Sequence, residues 1–172
     1  TRGFMRPILR NGQQWWRRPR LVPEPLVLRL HGLPEMRLAG NARPGHYMAK
    51  ARLITEDKGR WCNLLLEAGY VQREKPLFPG RVLIEAVLHF PTQRVPDEGN
   101  CRTGLKTLED VLEANRCVFQ LDRPMYTRGF AGIFGDDTLV EWGRVRRIPS
   151  SAEAPLTVLV VTDLEEAAEG LP

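Results

Sequence analysis

Between Gly80 and Phe90 the side chains alternate: Val82, Ile84, Ala86, Leu88 and Phe90 fall on one side, and Arg81, Glu85 and His89 on the other. Successive side chains of an extended chain point to opposite faces, so a period of two over this length reads as a strand half-buried in a sheet. Leu26–Leu30 also alternates and reads as a first strand, and Thr138–Arg147 reads as a later one. Leu156–Thr162 is almost wholly apolar, the pattern of a strand covered on both faces. Two stretches switch to helical spacing. Lys50–Ala68 puts Trp61, Leu64, Leu65 and Ala68 on one side and stops at Gly69; Thr103–Ala114 carries a stripe of Leu105, Leu108, Val111 and Leu112. His31–Gly45 and Thr92–Arg102 read as loops, and Arg116–Gly135 as a long connection. The expected order is β-α-β-α-β-β without internal repeat. The expected class is α/β (α+β), a single mixed sheet with two helices packed on it, burying Leu105, Leu108 and Leu112 against Val82, Ile84 and Leu88.

At 172 residues the chain fits one domain with flanking segments. The expected division is a basic, irregular N-terminal arm (1–25), a domain (26–162) and an acidic tail (163–172). A domain of this size buries roughly two-thirds of its unfolded surface, so it holds together without disulfides or structural zinc. The three cysteines (Cys62, Cys101, Cys117) are odd in number and widely spaced, which suits reduced thiols in a cytoplasmic protein. No run approaches the ~18 apolar residues of a membrane span. The N-terminus also lacks the order of a secretory signal, so a soluble, intracellular chain is expected.

The net charge of +4 conceals an asymmetry, because the last ten residues hold four acids and no base, leaving +8 on residues 1–162. Arg2, Arg6, Arg10, Arg17, Arg18 and Arg20 stand in the first 23 residues with no acid among them. A basic surface suits polyphosphates, which release counterions on binding. Arginine outnumbers lysine 21 to 4, however, so the codon bias of a GC-rich genome accounts for part of the excess equally well. Trp15 and Trp16 beside Arg17 and Arg18 could stack on bases, but two tryptophans in an arm more often pack on their own domain or a partner chain.

Acids gather at two junctions between loop and element, at Asp97-Glu98 before the second helix and at Asp136-Asp137 before the third strand. Carboxylates converging from two such loops suit Mg²⁺, a hard ion that takes oxygen ligands. Beside a phosphodiester such an ion activates water and stabilises developing charge. Lys106 opens the second helix with Asp110 one turn on, where an ammonium can neutralise a phosphate. The alternative is plain: Asp and Asn favour turns and caps, and Lys106–Asp110 has the spacing of a surface ion pair worth ~0.3–0.5 kcal/mol.

The stretch Asp97-Glu98-Gly99-Asn100, followed by Lys106 and then Asp110-Val111-Leu112, resembles the D-x-D-N … K … D-x-L motif of the RusA-like Holliday-junction resolvases. Gly132-Ile133-Phe134-Gly135-Asp136-Asp137 is similar to that family's later G-[apolar]-x-x-D-D segment. Asn41-Ala42-Arg43 and Lys50–Trp61 are similar to its asparagine loop and basic first helix. The resemblance spans roughly residues 26–162. It implies a bacterial or phage enzyme of DNA recombination and repair, a Mg²⁺-dependent endodeoxyribonuclease resolving four-way junctions as a homodimer. Carried over residue by residue, the resemblance implies Asp97 and Asp137 as metal ligands and Lys106 beside them as the third catalytic residue; Asp136 and the adjacent Glu98 stand as supporting metal ligands, and Arg43, Lys50, Arg52, Lys58 and Arg60 as candidate contacts to the DNA backbones. The chain departs from the motif at Gly99, where the family has its second aspartate. It also carries a longer insertion between Asp110 and Asp136. Both departures fit equally a relative that binds branched DNA, or a protein partner in a nucleoprotein assembly, without cutting.

Overall fold

The computed structural model describes residues 7–10 and 13–16 (as backbone), 24–39, 47–73, 75–114 and 129–165. Six strands and three helices follow one another: β1 (Pro7–Arg10), β2 (Gln13–Trp16), β3 (Leu26–Leu30), α1 (Tyr47–Glu67), β4 (Val82–His89), α2 (Glu98–Gly104), α3 (Lys106–Leu112), β5 (Val140–Ile148) and β6 (Leu156–Asp163). Short 3₁₀ turns at Met36–Leu38 and Asp137–Leu139 complete the order. β1 and β2 form an antiparallel hairpin, so the arm read as irregular contains a two-stranded ribbon. The other four strands form one mixed sheet in the order β3-β6-β4-β5, antiparallel except for the parallel β4–β5 pair. The class is α+β, as the alternating and helical patterns indicate.

The core lies on the face of the sheet that the helices cover. Val82, Ile84, Ala86 and Leu88 of β4 meet Leu105, Leu108 and Leu112 there, all within one buried cluster that also holds Trp61 and Leu65 of α1. At ~1.5–3 kcal/mol for each fully buried large aliphatic side chain, this layer is the main favourable term in folding. β6 lies inside the sheet between β3 and β4. Its Leu159 and Val161 are buried, but Val158, Val160 and Thr162 are only half-buried, so its second face is less covered than its composition suggested.

Helix ends follow local chemistry. α1 ends in a Schellman arrangement: Tyr70 N–H donates to the Leu65 carbonyl and Gly69 N–H to that of Leu66, with Gly69 at φ +81. Ala68 lies past the end and is exposed. The stripe read as one helix from Thr103 is two helices joined at Leu105. The Asp97 carboxylate caps α2 by accepting the Asn100 N–H at 2.8 Å, which starts the helix earlier than expected. Gly104 ends it, packed so tightly that a Cβ there would lie 2.9 Å from Pro34 Cβ.

Two features set the register around the site. Gly129 N–H donates to the Asp110 carbonyl at 2.9 Å, Ala131 N–H to Val111 and Ile133 N–H to Leu112. On the other side of the same segment, Leu77 and Phe78 N–H groups donate to Gly132 and Ile133. In β5, Ile84 pairs with Trp142 but Ala86 with Val145, so Gly143 and Arg144 together face Glu85 in a bulge.

Cys62 and Cys101 are buried in the core, and burial pushes each thiol up to about 11. A thiol reacts as its thiolate, so at pH 8 both stay overwhelmingly protonated as well as shielded. Neither is expected to take up maleimide in the folded protein at pH 8, and both should do so after denaturation. Peptide mass spectrometry checks this, and rapid native labelling of either would contradict the packing. Cys117 lies outside the described residues. No helix among the described residues is long and apolar enough to cross a membrane.

Candidate functional site

The first turn of α3 and the end of the 129–134 segment bring charged residues from two parts of the chain to one place. The Lys106 ammonium lies 2.6 Å from Glu109 Oε2, 3.5 Å from Asp110 Oδ1 and 3.4 Å from Asp137 Oδ2. Lys58, reaching over from α1, pairs with Asp110 Oδ2 at 3.3 Å. Trp142 of β5 donates its indole N–H to Glu109 Oε1 at 3.0 Å, which fixes that carboxylate from the other side. The Lys106 side chain is 50% exposed, whereas those of Glu109 and Asp110 are 8% and 14% exposed, so a wet ammonium sits on a mostly buried acidic floor. Burial works against the charge on Lys106, but the hydrogen bond to Glu109 and the neighbouring Asp110 and Asp137 outweigh it and hold its pKa above the ordinary value. Asp110 Oδ1 is buried and accepts no hydrogen bond among the described residues, where the Lys106 charge faces it at 3.5 Å.

Lys106, Asp110 and Asp137, named from two separate motif segments, therefore converge. The other predicted acids are engaged elsewhere. Asp97 uses both oxygens on Asn100, one on its backbone N–H and one on its side-chain amide, each at 2.8 Å. Glu98 accepts the Val145 N–H at 3.3 Å and pairs with Arg102 at 3.4 Å, closing α2 onto the outer edge of β5. Asp136 accepts both the backbone N–H (2.7 Å) and the hydroxyl (2.6 Å) of Thr138, capping the 3₁₀ turn that delivers Asp137. Among the described residues no three carboxylate, thiol or imidazole groups already stand as a metal-holding set.

Of the basic residues expected at DNA, Lys50 and Arg52 are exposed on α1. Lys58 is bound to Asp110, and Arg43 lies outside the described residues, as do the side chains of Trp15 and Trp16. Arg60 belongs to a buried network that sequence reasoning missed. Asp57, 3% exposed, accepts from Arg60 at 2.7 Å, from the Trp61 indole at 3.2 Å and from the Thr107 hydroxyl. Arg60 also donates to the Leu33 carbonyl at 2.7 Å and lies 4.4 Å over the Trp61 ring. The one available signal was spacing, since Asp57, Arg60 and Trp61 stand at i, i+3 and i+4 on one helical face. Glu109 was missed as well, although it stands at i+3 from Lys106. Away from the site, His89 Nδ1 meets Ser151 Oγ at 2.8 Å and its Nε2 meets Glu153 at 3.4 Å, closing the β5–β6 turn.

No protein-family model matches the chain, and no curated protein matches it.

Proposed function

We propose that the chain is a Mg²⁺-dependent, structure-selective endodeoxyribonuclease that resolves four-way DNA junctions as a two-fold homodimer. The observation that carries this reading is the meeting of Lys106, Asp110 and Asp137 around one solvent-facing position. These are residues that the family resemblance singles out in two segments 26 residues apart, Lys106–Asp110 and Asp136–Asp137. The donor chemistry is the kind a hard cation takes, although the three carboxylates stand around the Lys106 ammonium and not as a ready metal-holding set. Three carboxylates already face one positive charge, and Asp110 Oδ1 is a buried oxygen with no hydrogen bond. Glu109, Asp110 and Asp137 would hold Mg²⁺, which when bound supplies water activation and charge stabilisation at phosphorus.

The chain's own residues do the rest. The exposed Lys106 ammonium is free on its solvent side to donate to a non-bridging phosphate oxygen, where charge builds during cleavage. Trp142 holds Glu109 in orientation, and Lys58 neutralises the far oxygen of Asp110, so the floor does not repel an approaching phosphate. Two cuts on one junction need two such sites, which a two-fold dimer supplies.

A second reading, a module that binds junctions without cutting, draws on Gly99 and on the internal matching of Lys106 by carboxylates. The two are separated by a cleavage assay on a synthetic four-way junction in Mg²⁺. Wild type is expected to make paired, symmetric nicks, and Asp137→Asn to lower the rate by about 10²-fold or more. Asp97→Asn is expected to stay within a few-fold of wild type, because asparagine caps a helix as well as aspartate does. A Cβ at Gly99 would meet only Asp97 Oδ1, at 3.4 Å, so Gly99→Asp fits sterically. It should raise cleavage only if the ion sits at Asp97 instead. Abolition by Asp97→Asn, or a gain from Gly99→Asp, moves the site to the start of α2. If neither wild type nor Gly99→Asp cuts any branched substrate, the enzyme reading fails.

A further inference from the structure

Lys58 and Arg60 are paired inside the molecule, which leaves Lys50 and Arg52 as the exposed cations among the expected α1 contacts; the bulge in β5 creates a second group. Strict alternation from Trp142, which shares the helix-covered face with Ile84, would send Val145 outward and Arg146 into the core. The extra residue at Gly143-Arg144 reverses that phase: Val145 is buried in the core and Arg146, opposite Val87, comes to the uncovered face. Two cross-strand rows then run over this face. One reads Arg29, Val158, Val87, Arg146, and the other Val27, Val160, Glu85 and the Gly143-Arg144 bulge.

Among the described residues nothing covers this face, and it is net basic. Val27 is 56% exposed, Arg29, Arg144 and Arg146 are exposed, and Val87, Val158 and Val160 are half-buried. None of these three valines packs against the core cluster. Arg29, Arg144 and Arg146 make no hydrogen bond or ion pair with any described residue, and Glu85 is the only acid in the two rows. Three strand spacings of ~4.8 Å put Arg29 and Arg146 about 14 Å apart. That separation is close to the ~12 Å width of a B-DNA major groove, so two guanidinium groups can reach phosphates on opposite sides of a groove. Guanidinium is the side chain best matched to phosphate oxygens, and the valines between offer an apolar floor for sugar carbons.

We infer that this uncovered sheet face, bounded by Arg29 on one side and Arg144 and Arg146 on the other, carries the sugar–phosphate backbones of the nucleic-acid substrate. The inference rests on the reading of the chain as a junction-acting protein, and it adds an electrostatic contact on the sheet to the exposed Lys50 and Arg52 of α1. Charge favours a polyphosphate over an apolar protein partner.

The test is a fluorescence-anisotropy titration of a labelled synthetic four-way junction over a salt series, without divalent ions, using the full chain. The subject is an Arg29→Gln/Arg144→Gln/Arg146→Gln variant. The control is Arg37→Gln/Lys75→Gln, which removes exposed positive charge from outside the two rows. The triple variant should bind at least tenfold more weakly, with the slope of log K against log salt shallower by about 2 to 3, near 0.9 per lost phosphate contact. The control should change affinity less than threefold. Because the three side chains are exposed and pair with no described residue, thermal melting should match wild type; a large drop moves the test to the three single variants. Equal affinity and slope in triple variant and wild type overturn the inference while leaving DNA binding intact. Wild-type protein that binds no junction, duplex or single strand even at low salt overturns it together with the reading beneath it. Loss of an acidic protein partner with DNA binding unchanged reassigns the face.

Discussion

Replacing Asp57 by alanine will lower the free energy of unfolding by about 3 kcal/mol, since it strands two buried donors at ~1–3 kcal/mol each and frees a partly buried guanidinium. The donors are the indole of the fully buried Trp61 and the hydroxyl of Thr107, and both now end on the Asp57 carboxylate. The network joins α1 to α3 and, through Arg60 and the Leu33 carbonyl, to the loop after β3. Its loss therefore loosens the element that carries Lys106. In thermal melts the midpoint should fall by about 6–12 °C, at 2–4 °C per kcal/mol for a chain of this size. Asp57→Asn, which keeps one acceptor oxygen, should lose about half as much. A loss under about 1 kcal/mol would mean that the network contributes no more than an exposed ion pair.

Replacing Lys106 by glutamine is expected to cost about 10²–10³ in junction cleavage, the usual effect of deleting one charge-stabilising donor from an active site. Glutamine keeps a hydrogen-bond donor on a side chain one bond shorter and loses the charge. A drop in rate at saturating junction, with affinity changed only a few-fold, therefore points to a role of the Lys106 terminus in turnover and not in binding. Arginine should restore binding better than turnover, because its planar fork cannot sit among Glu109, Asp110 and Asp137 as a compact ammonium does. Wild-type turnover in Lys106→Gln would remove Lys106 from the mechanism.

Much of the scaffold could be read from local periodicity. The alternation through β4 and the leucine stripe that becomes α3 are both one-dimensional signals, and both land in the core as expected. Gly69 marks the end of α1 because only a residue tolerant of positive φ closes the helix there. What could not be read depends on contacts distant in sequence. The stripe divides into two helices at Leu105, next to Gly104, which lies close against Pro34 some 70 residues away. The bulge at Gly143-Arg144 leaves the composition of β5 unchanged yet reverses which residues face the core. Within the site, the motif spacing pointed to Lys106, Asp110 and Asp137. The cap and turn preference of Asp already offered the alternative that Asp97 and Asp136 take, but nothing in the spacing showed that the buried Glu109 is held by an indole from β5. Asp, Asn and Thr cap and coordinate with the same atoms, and only the neighbours decide which they do.

The backbone bonds around the 115–128 connection give the site a modular character. Where the chain departs and returns it is clamped, by Gly129 N–H on the Asp110 carbonyl and by Ala114 N–H on the Phe134 carbonyl. From there Ala131 to Phe134 runs buried to the turn that presents Asp137. Asp137 is thus indexed to Lys106 by backbone bonds that join residues 110–114 to residues 129–134 through the core, so the two halves of the charged site are held in register from within the fold.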